Sequence, residues 1–129
     1  LEGQRFAVWG LSFKPNTDDM REAPSIPIIS GLLERGASIK AFDPVAMEKA
    51  ARIFGPREGL EYGEDPYEIL EGAQGLLLLT EWPEFRSPDF DRIKELLKTP
   101  LIFDGRNQYD PAKMWDLGFV YYGIGRGGR

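Results

Sequence analysis

Two cations and three carboxylates crowd into one short stretch of this chain: Lys14, Asp18, Asp19, Arg21 and Glu22. The stretch follows an apolar run, Phe6-Ala-Val-Trp9, and precedes another, Ile28-Ile-Ser-Gly-Leu-Leu33. A further cation, Arg106, stands far downstream behind Asp104-Gly105. The chemistry that fits this set is the anchoring of a phosphate-bearing ligand. Arginine offers a planar fork that matches phosphate oxygens, and lysine a point charge. The acids would then shape the loop, with Asn and Asp making tight turns through hydrogen bonds to nearby backbone. The competing reading is a solvated loop with local ion pairs, and an Arg106 paired to an acid such as Asp110. Asp18, Asp19 and Glu22 could ligate a hard cation, but their spacing lacks the pattern of a calcium loop. No metal site is expected.

The chain has no cysteine and no histidine. A disulfide framework, a Ser-His-Asp triad, a cysteine nucleophile and a His or Cys zinc site are all excluded. No residue is read as catalytic. The formal net charge of −5 argues against non-specific nucleic-acid binding, which rests on neutralising many phosphates. No apolar run approaches the roughly 20 residues of a membrane helix, and no secretory signal pattern opens the sequence. A cytoplasmic, non-membrane protein is expected. At 129 residues, 42% of them hydrophobic, the sequence reads as one domain spanning 1–129 with a real core. It begins at Leu1 and enters a strand almost at once, which leads to the expectation of a domain from a longer protein.

The elements that must hold these cations alternate. Strands are expected at residues 5–9, 38–42, 60–62, 75–79, 101–103 and 119–122. Helices are expected at 25–35, 46–54, 66–71, 90–97 and 111–116, with 84–88 as an irregular excursion. This pattern predicts an α/β fold: a Rossmann-like, doubly wound, mostly parallel sheet of about six strands with helices on both faces. The runs Leu76-Leu-Leu-Leu79 and Leu101-Ile-Phe103 read as strands buried on both faces. In the first helix Ser25 is placed as the amino-terminal cap, Pro27 in the first turn and Gly36 as the stop. Gly31, inside that helix, is read as allowing close packing on the sheet. In such folds ligands bind beyond the carboxyl ends of the strands, where both Lys14 and Arg106 would project.

Other candidates are weaker. Gly123-Ile-Gly-Arg-Gly-Gly128 satisfies G-x-G-x-x-G, but that fingerprint needs a following helix and only Arg129 remains. It is read as a tail. Asp43, at the end of the second strand, sits where a ribose-binding acid is often found. The loop after the first strand lacks the glycine turn, so Asp43-Pro44 is read as a turn and strand terminus. Trp82 and Phe85 are read as core anchors of a loop, and Tyr121 and Tyr122 as structural.

The order Phe13-Lys-Pro-Asn-Thr-Asp-Asp-Met-Arg-Glu-Ala-Pro24 resembles a signature of the UDP-glucose/GDP-mannose dehydrogenase family, at the start of its C-terminal, UDP-sugar-binding domain. Phe103-Asp-Gly-Arg-Asn107, Thr80-Glu-Trp-Pro-Glu-Phe85 and Tyr122-Gly-Ile-Gly-Arg126 continue the resemblance in the family's order, over nearly the whole chain. The resemblance implies an enzyme that oxidises a sugar C6 hydroxyl to a carboxylate with two NAD⁺, through a cysteine thioester formed outside this domain. It implies that Phe13, Lys14 and Arg106 contact the UDP-sugar. Arg21 would reach NAD, held mainly by an N-terminal domain. The implied partners are that NAD-binding domain and a central region of the same polypeptide, in an enzyme expected to be a homo-oligomer. UDP-glucose fits best as the substrate. UDP-N-acetylmannosamine and GDP-mannose enzymes, a standalone nucleotide-binding module and a purely structural domain remain open alternatives.

Overall fold

The computed structural model describes residues 3–123 apart from 13, 15, 18 and 22. Phe13 and the acids Asp18 and Glu22 thus lie outside the described residues, as does the proposed tail beyond Gly123.

Six strands form one sheet: β1 (Arg5–Trp9), β2 (Ser38–Phe42), β3 (Leu60–Tyr62), β4 (Gly75–Leu78), β5 (Leu101–Asp104) and β6 (Val120–Gly123). Their order is β3-β2-β1-β4-β5-β6, and every adjacent pair is parallel. Four helices intervene: α1 (Ser25–Glu34), α2 (Met47–Phe54), α3 (Phe90–Leu96) and α4 (Pro111–Asp116). This is the expected Rossmann-like arrangement, with element ends shifted by a residue. The helix expected at 66–71 shrinks to one 3₁₀ turn, Glu68–Leu70. Asp65 accepts hydrogen bonds from the Tyr67 and Glu68 amides, and Gly72 at φ 71° ends the segment. The intervening stretch is too short for a second turn. Pro83–Phe85, overlapping the start of the irregular region expected at 84–88, forms another 3₁₀ turn.

Strand alternation sends side chains to two cores. Phe6, Val8, Ile39 and Ala41 pack with Ile29 of α1 and Ala50 of α2. Ala7, Trp9, Leu76, Leu78, Ile102 and Tyr121 pack on the opposite face with Ile93 of α3 and Met114 of α4. Each fully buried large side chain contributes on the order of 1.5–3 kcal/mol relative to exposure. Trp9 is the largest of them. Its ring stacks on Phe85 at 4.9 Å, and its indole N–H donates to the Pro66 carbonyl at 2.8 Å.

One expectation fails, and another holds only in part, for one topological reason. β5 is not buried on both faces: Ile102 is fully buried, but Phe103 is 39% exposed. Leu77 of β4 is likewise only partly covered. Crossovers in a parallel sheet are right-handed. The chain winds outward from β1 to β3, then outward the other way from β4 to β6. α1 and α2 therefore cover one half of one face, while α3 and α4 cover the opposite face beneath β4–β6. Gly31 is corrected too. A Cβ there would meet only Arg35 Nη1, at 3.5 Å, so sheet packing does not require glycine.

The ends of α1 also differ from expectation. Ser25 is not a cap but the first helical residue, and Pro24 precedes the helix. The buried Ser25 hydroxyl donates instead to the Leu11 carbonyl at 2.6 Å, pinning α1 to the loop after β1. Gly36 does stop the helix. At φ 89°, it donates to Leu33, while Ala37 donates to Leu32, both at 3.1 Å. That pair of bonds is a Schellman ending.

Candidate functional site

Three loops meet at the carboxyl edge of the sheet, after β1, β4 and β5, and side chains stitch them together. Thr80, after β4, donates its hydroxyl to the Ser12 carbonyl at 2.7 Å. Ser12 Oγ in turn donates to the carbonyl of Lys14 at 2.8 Å. Gly10 lies so close to Thr80 that an added Cβ would stand 2.5 Å from the threonine Cβ. On the other side, Glu81 forms an ion pair with Arg106 Nε at 2.7 Å, and Gly105 N–H donates to Leu78 at 2.8 Å. The Lys14 loop and the Arg106 loop are therefore tied to the same β4 loop from opposite sides.

Buried aspartates hold these loops from below. Asp43 is fully buried at the end of β2. One oxygen accepts from the Leu11 and Ser12 amides at 2.7 and 3.2 Å and from the Trp82 indole at 3.3 Å. The other accepts from the Val45 and Ala46 amides at 2.9 and 2.8 Å. A carboxylate so saturated has no lone pair left for a ribose, and the ribose-binding reading falls. Its reading as a turn stands. Asp104, also fully buried, accepts from the Arg106 amide at 3.0 Å, the Tyr109 amide at 2.8 Å and the Tyr121 hydroxyl at 2.7 Å. It fixes the backbone from which Arg106 springs. Burial, reinforced by the Asp104 charge, pushes the Tyr109 phenol well above its ordinary range. The phenol thus stays protonated and donates to the Phe85 carbonyl at 2.6 Å. Trp82 and Phe85 are core anchors, as read. Tyr121 is buried and structural, whereas Tyr122 is 42% exposed.

The cations differ in setting. Lys14 is exposed. Arg106 is mostly covered, its side chain 23% exposed, and the acid beside it is Glu81 rather than the Asp110 considered from sequence. Sequence reasoning passed over Glu81, although it lies inside the Thr80-Glu-Trp run. Arg21 is 89% exposed and grips Asp19 with two bonds, Nε to Oδ1 at 3.2 Å and Nη2 to Oδ2 at 3.0 Å. The Arg21 amide also donates to Asp19 Oδ1 at 2.9 Å. Asp19 thus shapes the loop, as expected of its acids. Among the described residues no group of acids could hold a metal ion.

The hydrogen bonds from Arg21 lower the Asp19 pKa from 3.8 to about 2. A depressed carboxylate favours the ordered loop above the unfolded value and ceases to do so as pH falls through the folded one. The clamp's contribution should therefore be complete above the ordinary value of 3.8 and fade as pH falls toward about 2. Carboxyl-carbon NMR titration checks this: Arg21→Ala should return the Asp19 midpoint toward 3.8, and an unmoved midpoint would refute the clamp.

No helix among the described residues is long and apolar enough to cross a membrane. A sequence model of the UDP-glucose/GDP-mannose dehydrogenase family, UDP binding domain, matches residues 7–111. A UDP-glucose 6-dehydrogenase of Pseudomonas aeruginosa is 48% identical over 128 residues, covering 97% of this chain and 28% of the relative. The chain thus spans little more than a quarter of that protein's length. A solved UDP-glucose dehydrogenase from Pyrobaculum islandicum superposes with a TM-score of 0.79 at 35% identity, over 98% of this chain and 26% of its own. A UDP-D-ManNAc dehydrogenase from Pyrococcus horikoshii gives 0.75 at 27%, over 96% and 26%.

Proposed function

Because the chain belongs to the UDP-glucose/GDP-mannose dehydrogenase family, in its UDP-binding domain, we propose that it supplies nucleotide contacts to a UDP-glucose 6-dehydrogenase. The observation that carries this is the joining of the Lys14 and Arg106 loops through Thr80 and Glu81 at one sheet edge. Lys14 and Arg106 hold the diphosphate, and Phe13 lies against the sugar nucleotide. UDP-glucose is favoured by the identity to the Pseudomonas enzyme; the Pyrococcus likeness keeps UDP-N-acetylmannosamine as the second reading.

NAD supplies the hydride acceptor in this reading. The chain's own switch-point crevice does not fit a dinucleotide. Gly10 is spent on contact with Thr80, and Asp43 on five protein donors. We therefore place NAD mainly on an N-terminal domain of the same polypeptide, with Arg21 as this chain's contact. Its two bonds to Asp19 fix the guanidinium without burying it. The catalytic cysteine lies elsewhere, since this chain has none. The whole enzyme is read as a cytoplasmic homo-oligomer.

Titrating UDP into the chain and following amide shifts tests the proposal. Ser12, Lys14, Glu81 and Arg106 should move. Each ~1.4 kcal/mol of contact missing with the rest of the enzyme costs tenfold in affinity, so the dissociation constant should be roughly millimolar or weaker. With UDP-glucose and NAD⁺ no NADH should form. Shifts centred away from these loops, or NADH formed by the pure chain, would overturn it.

A further inference from the structure

Among the described residues no helix covers the face of β4–β6 opposite α3 and α4. Register lines up Leu77, Phe103 and Tyr122 in one row across the three strands, and Leu101 beside Val120 in the next. Phe103 is 39%, Val120 36% and Tyr122 42% exposed. Among the described residues the only other exposed large hydrophobics are Val45 and Ile53. The strip runs into a groove of about 360 Å³ whose far wall is α1, with Ile28, Gly31 and Leu32 facing Leu77 and Phe103. Gly31 keeps that wall low, since no side chain stands there and only Arg35 lies near its missing Cβ.

We propose that this strip is the seat of a helix from the part of the parent polypeptide that lies outside this chain. The proposal rests on the reading of the chain as one domain of a longer dehydrogenase. Parallel sheets are stable with both faces covered, and helices do the covering. A helix laid beside α1 over β4–β6 would complete the layer that α1 and α2 begin. The Pseudomonas relative supplies ample chain for it, because this chain matches only 28% of its length. A second copy is the poorer occupant, since each copy carries a net charge of −5 and like charges repel. The occupant should present an apolar stripe, with an acid toward Arg35 at the groove's lip.

Phe103→Ser and Tyr122→Ser, made separately in this chain and in the full-length parent, test the proposal. In the isolated chain both side chains already meet water, so the melting temperature should shift little and the protein should remain monomeric by light scattering. In the parent the same changes should lower the melting temperature by roughly 5 °C or more beyond the isolated-chain shift. Parent melts that shift no more than those of the isolated chain would overturn the proposal. So would an isolated chain that dimerises until Phe103 or Tyr122 is replaced, which would assign the strip to a second copy. UDP-induced shifts at Lys14 and Arg106 in the isolated variants should match wild type. UDP-induced shifts in wild type centred away from these loops would sink the nucleotide reading while leaving the parent melts to decide the strip.

Discussion

Asp43→Ala is expected to lower the stability of this chain by about 3 kcal/mol or more. The carboxylate is fully buried and accepts from four backbone amides and the Trp82 indole. Alanine leaves all five donors without their acceptor, and water cannot reach the site freely. Each buried unsatisfied donor costs on the order of 1–3 kcal/mol before relaxation, so 3 kcal/mol is a floor set by partial rearrangement. For a domain of this size the melting temperature should fall by roughly 10 °C. Asp43→Asn should lie between, because one oxygen still accepts while the new amide group sets its own hydrogens against backbone N–H groups. Thermal and urea melts measure both. A melt of the alanine variant that overlays wild type would mean that the loops after β1 and β2 are held by packing alone.

This role shows where the sequence could be read and where it could not. Strand and helix positions were legible because apolar runs separated by polar turns leave few alternatives. All six strands fell within a residue of expectation. The burial of Asp43 was not legible, since an acid before proline at a strand end suits an exposed turn equally well. Its saturation depends on the β1 and β4 loops, distant in sequence. Glu81 was missed for the same reason: its meaning comes from Arg106, reached only through the β4–β5 pairing. Composition misled at Phe103. An apolar triplet states that a strand prefers burial, not which element covers it, and the handedness of the crossovers leaves that face open. Ser25 illustrates a local rule overridden, its hydroxyl being drawn to Leu11 rather than to its own helix end.

The full-length parent carrying Arg106→Ala is expected to lose ten- to hundredfold in kcat/KM, with KM for the sugar nucleotide raised far more than KM for NAD. The scale follows from a charge-assisted hydrogen bond worth roughly 1.5–3 kcal/mol. Folding should be nearly unchanged. The Arg106–Glu81 pair is partly open to solvent, at 23% and 37% side-chain exposure, and such pairs contribute about 0–1 kcal/mol. The turn itself is held by the Arg106 amide on Asp104, which alanine keeps. Arg106→Lys should rescue only in part, because a point charge cannot reproduce the planar fork. Glu81→Gln separates the two roles open to this arginine. If Arg106 serves the ligand, removing its protein partner leaves the guanidinium charge in place, and KM should change much less than in the alanine variant. If Arg106 exists only to pair with Glu81, the two single variants should lose activity alike, with a shared drop in melting temperature. Steady-state kinetics on the three proteins beside wild type distinguishes these outcomes, and wild-type kinetics in Arg106→Ala would reduce the residue to a structural partner.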